Sequence, residues 1–366
     1  MDQTAAQNQR LVGLDLLRFI AIVLVMGRHA WPPPADLPAP FFGLITIWQR
    51  GGWIGVDLFF VLSGFLISGL LFSEYRGTGR IQAVRFYVRR AWKIYPPFYV
   101  LMVVTIVIVA VCRLPFGWAA QVAELLFFQN YIAGIWGHTW SLAVEEHFYF
   151  LLPLVLNAIL FANRATTNPL RTVPWIAVGL SITCLAMRLA TWQYCGDYQH
   201  ITHLFPTHLR IDSLFFGVAI SYFYHFHRDA FVRILFPWRH VLVLAGIVLL
   251  SPAFVFELES TPFIYTSGLT LFYIGSGALL TGFLLLKLPQ NWVINSSAKL
   301  GMYSYSIYLW HLPVVWILPQ VDSALGLSLG YLGLVGCYIF DSVVAGVVMA
   351  RLIEFPALKL RDRLFR

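Results

Sequence analysis

Charge is what this sequence has least of. Asp, Glu, Lys and Arg together make up 11% of its 366 residues, while 59% are hydrophobic; an average soluble domain has about 25% and roughly 45–50%. That balance excludes an ordinary soluble enzyme. Cysteine is scarce too: Cys112, Cys184, Cys195 and Cys337 show no CxxC spacing, which argues against a disulfide scaffold and a zinc ribbon. His200, His203 and His208 lack the Cys or carboxylate partners that would complete a metal site, so no metal is expected. There is no repeat of 20–50 residues and no low-complexity tract. Residues 1–13 are polar with one Arg, and no small-residue cleavage site follows the first apolar run, so the first span is expected to be retained rather than removed as a leader.

What the sequence does have is long, recurrent apolar runs. Measured against the ~20 residues needed to cross a bilayer, they predict an all-α, polytopic membrane helical bundle. Its ten spans lie near 14–31, 53–73, 94–112, 140–161, 174–193, 208–224, 240–256, 264–286, 301–318 and 328–350. Residues 1–366 are then expected to form a single integral membrane domain with no fused soluble domain. With the N-terminus inside, nineteen of the 25 Lys and Arg residues fall in inward segments or the tail, and only Arg50 and Arg113 in outward loops. This positive-inside bias places both termini in the cytoplasm, and it accounts for the net charge of +8 without a nucleic acid.

Arg18, Arg28, Arg188 and Arg210 remain within or at the edges of spans, where an ionisable residue is costly and therefore a functional candidate. The first span holds Arg18 and His29 eleven residues apart. Three helical turns put both on one face, about 16 Å apart along the axis. The cation lies toward the inner leaflet and a titratable base toward the outer one. The plainer reading has Arg18 pairing with Asp15 and His29 reaching for the headgroups.

An Arg, ten residues and a His on the first span resembles the signature of the acyltransferase type 3 family. Further segments follow in that family's order: GGWIGVDLFFVLSGFLIS at 51–68, FYVRRAWKIYPPFY at 86–99, HTWSLAVEEHFYF at 138–150, SYSIYLWH at 304–311 and EFP at 354–356. The resemblance spans nearly the whole chain. It implies a membrane enzyme that O-acylates carbohydrates, with a cytoplasmic acyl-CoA, commonly acetyl-CoA, as donor.

Acyl transfer from a thioester to a hydroxyl needs a base, because an alcohol is a poor nucleophile at neutral pH. His29 is the expected base, with Glu145, then Asp57, then Glu146, as the carboxylate that orients it. His311, Arg210 and Trp140 fall at similar depth and, with Glu146, are candidate acceptor contacts. Trp140, Ser141 and Tyr308 are candidate donors to the oxyanion. Ser63 beside Gly64 reads as a close-packing position rather than a nucleophile; no GxSxG elbow is present. The phosphates of the donor call for cations, which Arg85, Arg89, Arg90 and Lys93 supply between the second and third spans, with Arg18 along the path of the pantetheine arm. The same basic loop could instead orient the protein and touch anionic lipid.

The expected partners are thus an acyl-CoA, a glycan acceptor at the outer side and membrane lipid, in a bacterial cytoplasmic membrane. Trp31, Trp48, Trp53, Trp136 and Trp140 read chiefly as interfacial anchors. Pro32, Pro33 and Pro34 should end the first helix and stiffen the loop beyond it. The competing reading is a transporter or exporter of a glycan or lipid-linked substrate, with the intramembrane Arg, His and Glu residues along its path.

Overall fold

The computed structural model describes the backbone of residues 3–113 and 117–365, and side chains from residue 12 onward. Arg10 and Arg366, two of the nineteen Lys and Arg residues expected on the inner side, lie outside the residues whose side chains are described. The described residues contain helices and no strand.

The helices that matter to the site are α1 (Gln3–His29), α2 (Ala39–Gly51), α3 (Gly55–Thr78), α4 (Ala83–Val111), α5 (Trp118–Leu125), α6 (Trp140–Ala162), α7 (Val173–Tyr194) and α8 (Ile211–Phe226). They continue with α9 (Arg228–Leu235), α10 (Arg239–Leu250), α11 (Ser267–Leu285), α12 (Trp292–Gly301), α13 (Ser304–Leu325), α14 (Tyr331–Met349) and α15 (Phe355–Leu364). Each of the ten expected spans falls on a helix. Among the described residues, six helical segments can cross a membrane by length and composition, or seven if the pair Arg228–Leu235 and Arg239–Val255, bent by 78°, counts as one. The sixth expected span is only 16 residues long as α8, short of the ~20 a straight crossing needs.

The three prolines do end α1 at His29. The segment beyond them is more ordered than a stiff loop, because Pro38 caps a new helix, α2. That helix turns into α3 through a short 3-10 segment at Gly52–Ile54. Trp48 on α2 donates from Nε1 to the Val23 carbonyl at 2.9 Å. Its indole lies so close to Gly27 that a Cβ there would sit 2.1 Å from Nε1.

Lipid offers no hydrophobic drive for one helix to join another, so close approach comes from small residues. A Cβ on Gly64 would fall 1.9 Å from the Leu214 carbonyl, and one on Gly217 would fall 2.2 Å from the Val61 carbonyl. This mutual glycine contact seats α3 against α8. Gly55 meets the Ala21 carbonyl at 2.3 Å in the same sense, and Gly301 meets the Asp15 carbonyl at 1.8 Å, fixing α1 between α3 and α12. The packing position is therefore Gly64; its neighbour Ser63 is free for another task.

Two buried ion pairs join α3 to the residue that precedes α8, and α7 to α8. Arg210 Nη2 donates to Asp57 at 2.9 Å and Arg188 Nη2 to Asp212 at 2.6 Å. All four side chains are about 1% exposed. Buried carboxylates and guanidiniums are tolerated only when paired in this way.

Candidate active site

The C-terminal end of α1 brings His29 against the middle of α13 and the start of α6. His29 Nδ1 lies 3.0 Å from the Val25 carbonyl and 3.1 Å from Nε2 of His311. His311 Nδ1 lies 2.6 Å from the Tyr308 carbonyl. The rings of His138 and His311 have centroids 5.0 Å apart, and those of His29 and His138 6.4 Å apart.

The carbonyls assign the tautomers, because a carbonyl can only accept. His311 must carry its proton on Nδ1 to donate to Tyr308, which leaves a lone pair on Nε2. His29 must likewise be protonated on Nδ1, so its N–H is shared between the Val25 carbonyl and that lone pair. The remaining lone pair of His29 is on Nε2, which makes no hydrogen bond among the described residues and sits in a ring that lines a cavity. A base held by one nitrogen and open at the other can take a proton from a hydroxyl.

The carboxylates expected to orient His29 stand elsewhere. Glu145 accepts from Ser63 at 2.6 Å and from Tyr149 at 2.9 Å. Asp57 holds Arg210. Glu146 accepts from Tyr95 at 3.2 Å and faces a lateral cavity with Arg90 and Tyr87. None of the three forms a hydrogen bond with His29. His311, expected as an acceptor contact, instead stands against His29 Nδ1, where a carboxylate was expected. His138 completes the cluster. No spacing rule points to it, because it precedes the fourth span and meets α13 only through folding.

Three cavities adjoin one another through shared lining residues; the one at the basic cluster is labelled inner and the one at His29 outer. The inner one is bordered by Arg85, Arg89, Arg90, Lys93 and Arg361. The middle one shares Arg90 and Lys93 with it and adds Arg18, Ser63, Ser141, Glu145, Tyr305 and Tyr308. The outer one shares Val56 and Tyr308 with the middle one and reaches His29, His138, Trp53, Trp140 and Arg210. Tyr308 and Val56 therefore form the partition. The Tyr308 hydroxyl donates to the His138 carbonyl at 2.5 Å and lies 2.7 Å from Ser141 Oγ.

Cations border the first two cavities for reasons of local structure. Arg90 stacks over the Tyr149 ring at 4.0 Å. Lys93 donates to Glu354, a fully buried carboxylate that also accepts from Ser306 at 2.7 Å. Glu354 sits in a π-helical turn at Ala350–Glu354, a feature that often marks functional positions. Arg18 is paired with Asp15 at 2.6 Å, as the plainer reading had it, and still lines the middle cavity.

Over the outer cavity lies a strap at 256–261. Glu259 accepts from Arg28 and faces His200 at 3.5 Å, while Glu257 faces Arg50 at 3.5 Å. Arg28, His200 and Leu258 all line the cavity beneath. The Glu259 carboxyl is held down to about 2, first by its hydrogen bond with His200 and then by Arg28.

Residues 11–351 match the sequence profile of the type 3 acyltransferases, described as an acyltransferase domain. A protein of Staphylococcus aureus (strain COL) named a "putative O-acetyltransferase" is 29% identical over 329 residues, which is 83% of this chain and 50% of that protein. The O-acetyltransferase OatA of Staphylococcus aureus (strain NCTC 8325 / PS 47) is 28% identical over 334 residues, again 83% of this chain and 50% of the relative. The chain thus spans about half the length of these curated relatives. No solved structure matches it. With its helices, its buried histidine cluster and a profile match covering nearly all its residues, the chain belongs to the acyltransferase type 3 family.

Proposed function

We propose that the chain moves an acetyl group from a cytoplasmic acetyl-CoA to a hydroxyl of a carbohydrate at the opposite face of the membrane. The observation that carries this reading is the partition at Tyr308, with cations bordering the cavities on one side of it and the His29 cluster lining the cavity on the other. Acetyltransfer itself comes from the relatives, which are named O-acetyltransferases.

In this reading Arg85, Arg89, Arg90 and Lys93 hold the donor's phosphates at the inner cavity, where guanidiniums can grip phosphate oxygens bidentately. The pantetheine arm runs past Arg18 and Glu145 toward Tyr308, and the thioester stops at the partition. His29 Nε2 takes the proton of the acceptor hydroxyl as its oxygen bonds to the thioester carbonyl carbon. The Tyr308 proton is committed to the His138 carbonyl, so the tetrahedral oxyanion is met by the Ser141 hydroxyl, which turns its proton from Tyr308 toward the developing charge. When the C–S bond breaks, the proton on His29 goes to the departing thiolate, so ester and free thiol are the products. Throughout, His311 accepts from His29 Nδ1–H and keeps Nε2 aimed at the acceptor.

This puts His311 in the orienting place first expected of Glu145. Glu145 stands on the donor side, where it fixes Ser63 and Tyr149 beside Arg90. The test is transfer of label from radioactive acetyl-CoA by protein reconstituted in vesicles. Wild type labels a glycan acceptor, and His29→Ala reaches the membrane but labels nothing. Full activity in His29→Ala would overturn the assignment.

A further inference from the structure

Among the described residues, several donors bordering the outer cavity have no acceptor. Trp53 Nε1 is buried without a partner, and so are Nε and Nη1 of Arg210. Both residues line the cavity reached by His29, at 6% and 1% exposure. A buried donor left unpaired costs free energy comparable to a lost hydrogen bond. Donors gathered on one cavity wall are therefore suited to a ligand that brings oxygen acceptors. Beside them Trp140 is stacked on Phe205, ring centroids 4.6 Å apart and planes 13° apart, and both line the cavity. An aromatic face next to hydrogen-bond donors suits a pyranose ring.

The charges decide what kind of pyranose. Arg210 already has Asp57, Arg188 behind it has Asp212, and Arg28 at the rim has Glu259. No described cation of this wall lacks its own carboxylate. A carboxylate or phosphate entering here would bring a charge with no counterion into a low-dielectric site, at a large desolvation cost. Neutral oxygens would satisfy the same donors without that cost.

We infer that the wall formed by Trp53, Trp140 and Arg210 is the acceptor subsite and that it selects an uncharged sugar over an acidic one. Arg210 acts there through its free N–H groups, with its charge cancelled by Asp57. The inference rests on the acyl-transfer reading only in calling the ligand an acceptor; the selectivity follows from the wall itself.

The probes are methyl glucopyranoside and methyl glucopyranosiduronate, titrated by calorimetry against protein in lipid nanodiscs without any donor. The neutral glycoside should bind about tenfold more tightly than the uronate, since one buried, uncompensated charge outweighs one hydrogen bond. Trp53→Phe removes one donor and should weaken the neutral glycoside about tenfold. Asp57→Asn leaves the Arg210 charge uncompensated and should turn the preference toward the uronate. Equal or tighter uronate binding by wild type, no binding of either sugar, or unchanged binding in Trp53→Phe would each overturn the inference. Parallel assays of acetyl-CoA consumption separate the two readings. Neutral sugar bound by a protein that never consumes acetyl-CoA defeats acyl transfer and keeps the subsite; acetylation with uronate preferred does the reverse.

Discussion

His311 Nε2 stands 3.1 Å from His29 Nδ1 across 282 residues of sequence. His311 itself is fixed by its own Nδ1–H on the Tyr308 carbonyl. One imidazole therefore orients another, and the proton inventory leaves His29 Nε2 as the basic atom. A neutral acceptor stabilises the imidazolium less than a carboxylate would, but it avoids burying a second charge in the membrane.

Removing that acceptor tests its role. His311→Ala should lower kcat on the order of a hundredfold, within the range general-base orientation contributes, and leave the KM for acetyl-CoA nearly unchanged. His311→Gln can place an amide oxygen near the lost Nε2 and should recover part of the rate. Steady-state kinetics of the two variants decide the matter: equal losses in both, or a loss confined to KM, would assign His311 to packing or binding instead.

Much of this arrangement could be read from the sequence, and the limits have physical causes. Apolar runs near membrane length placed every expected span on a helix, and one helix, α1, carries both Arg18 and His29. Helix α2 escaped notice because prolines at 32–34 and 38 look like a broken loop, whereas Pro38 in fact stands at a helix cap, and proline is well tolerated at a helix start. Partners could not be read at all. Asp57 finds Arg210 and Ser63 finds Glu145, contacts set by the glycine crossings between helices rather than by any local period. The same limit hid His138.

Tyr308 separates the two cavities, so its bulk should keep the thioester from water. Replacing it with Ala joins the cavities. Hydrolysis of acetyl-CoA without acceptor should then rise on the order of tenfold while productive transfer falls, because exclusion of water is what suppresses this side reaction. Free thiol release measured with and without acceptor reports the ratio; an unchanged ratio would remove Tyr308 from the partition.

The buried pair Arg188 and Asp212 lies behind the site and predicts a stability effect. Arg188→Met leaves the Asp212 carboxylate without its guanidinium and should cost about 3–5 kcal/mol, visible as a lowered melting temperature in detergent. The double variant Arg188→Met with Asp212→Leu should recover most of that loss, because replacing both ions by apolar side chains removes the desolvation cost as well.

The strap over the outer cavity should respond to acid, and the sign follows from Glu259. Its carboxyl is held at about 2 in the folded protein against about 4.3 for an unperturbed glutamate. The stabilisation is thus complete above the unfolded value and is lost as pH falls from there toward 2. Hydrogen exchange at residues 256–261, corrected for intrinsic rates, should stay constant from pH 7 to 5 and accelerate below about pH 4. Glu259→Gln should show the fast exchange at every pH.

If donor and acceptor meet at Tyr308 from opposite faces, transfer must depend on which side each is supplied. Protein is reconstituted in sealed vesicles with a fixed orientation, with radiolabelled acetyl-CoA only on the side of Arg85 and Arg89 and a membrane-impermeant glycan only on the side of His29. Labelled glycan should appear on the His29 side and be absent in His29→Ala, with intact acetyl-CoA retained on its own side. Label appearing only when both substrates share one compartment would contradict a meeting from opposite faces.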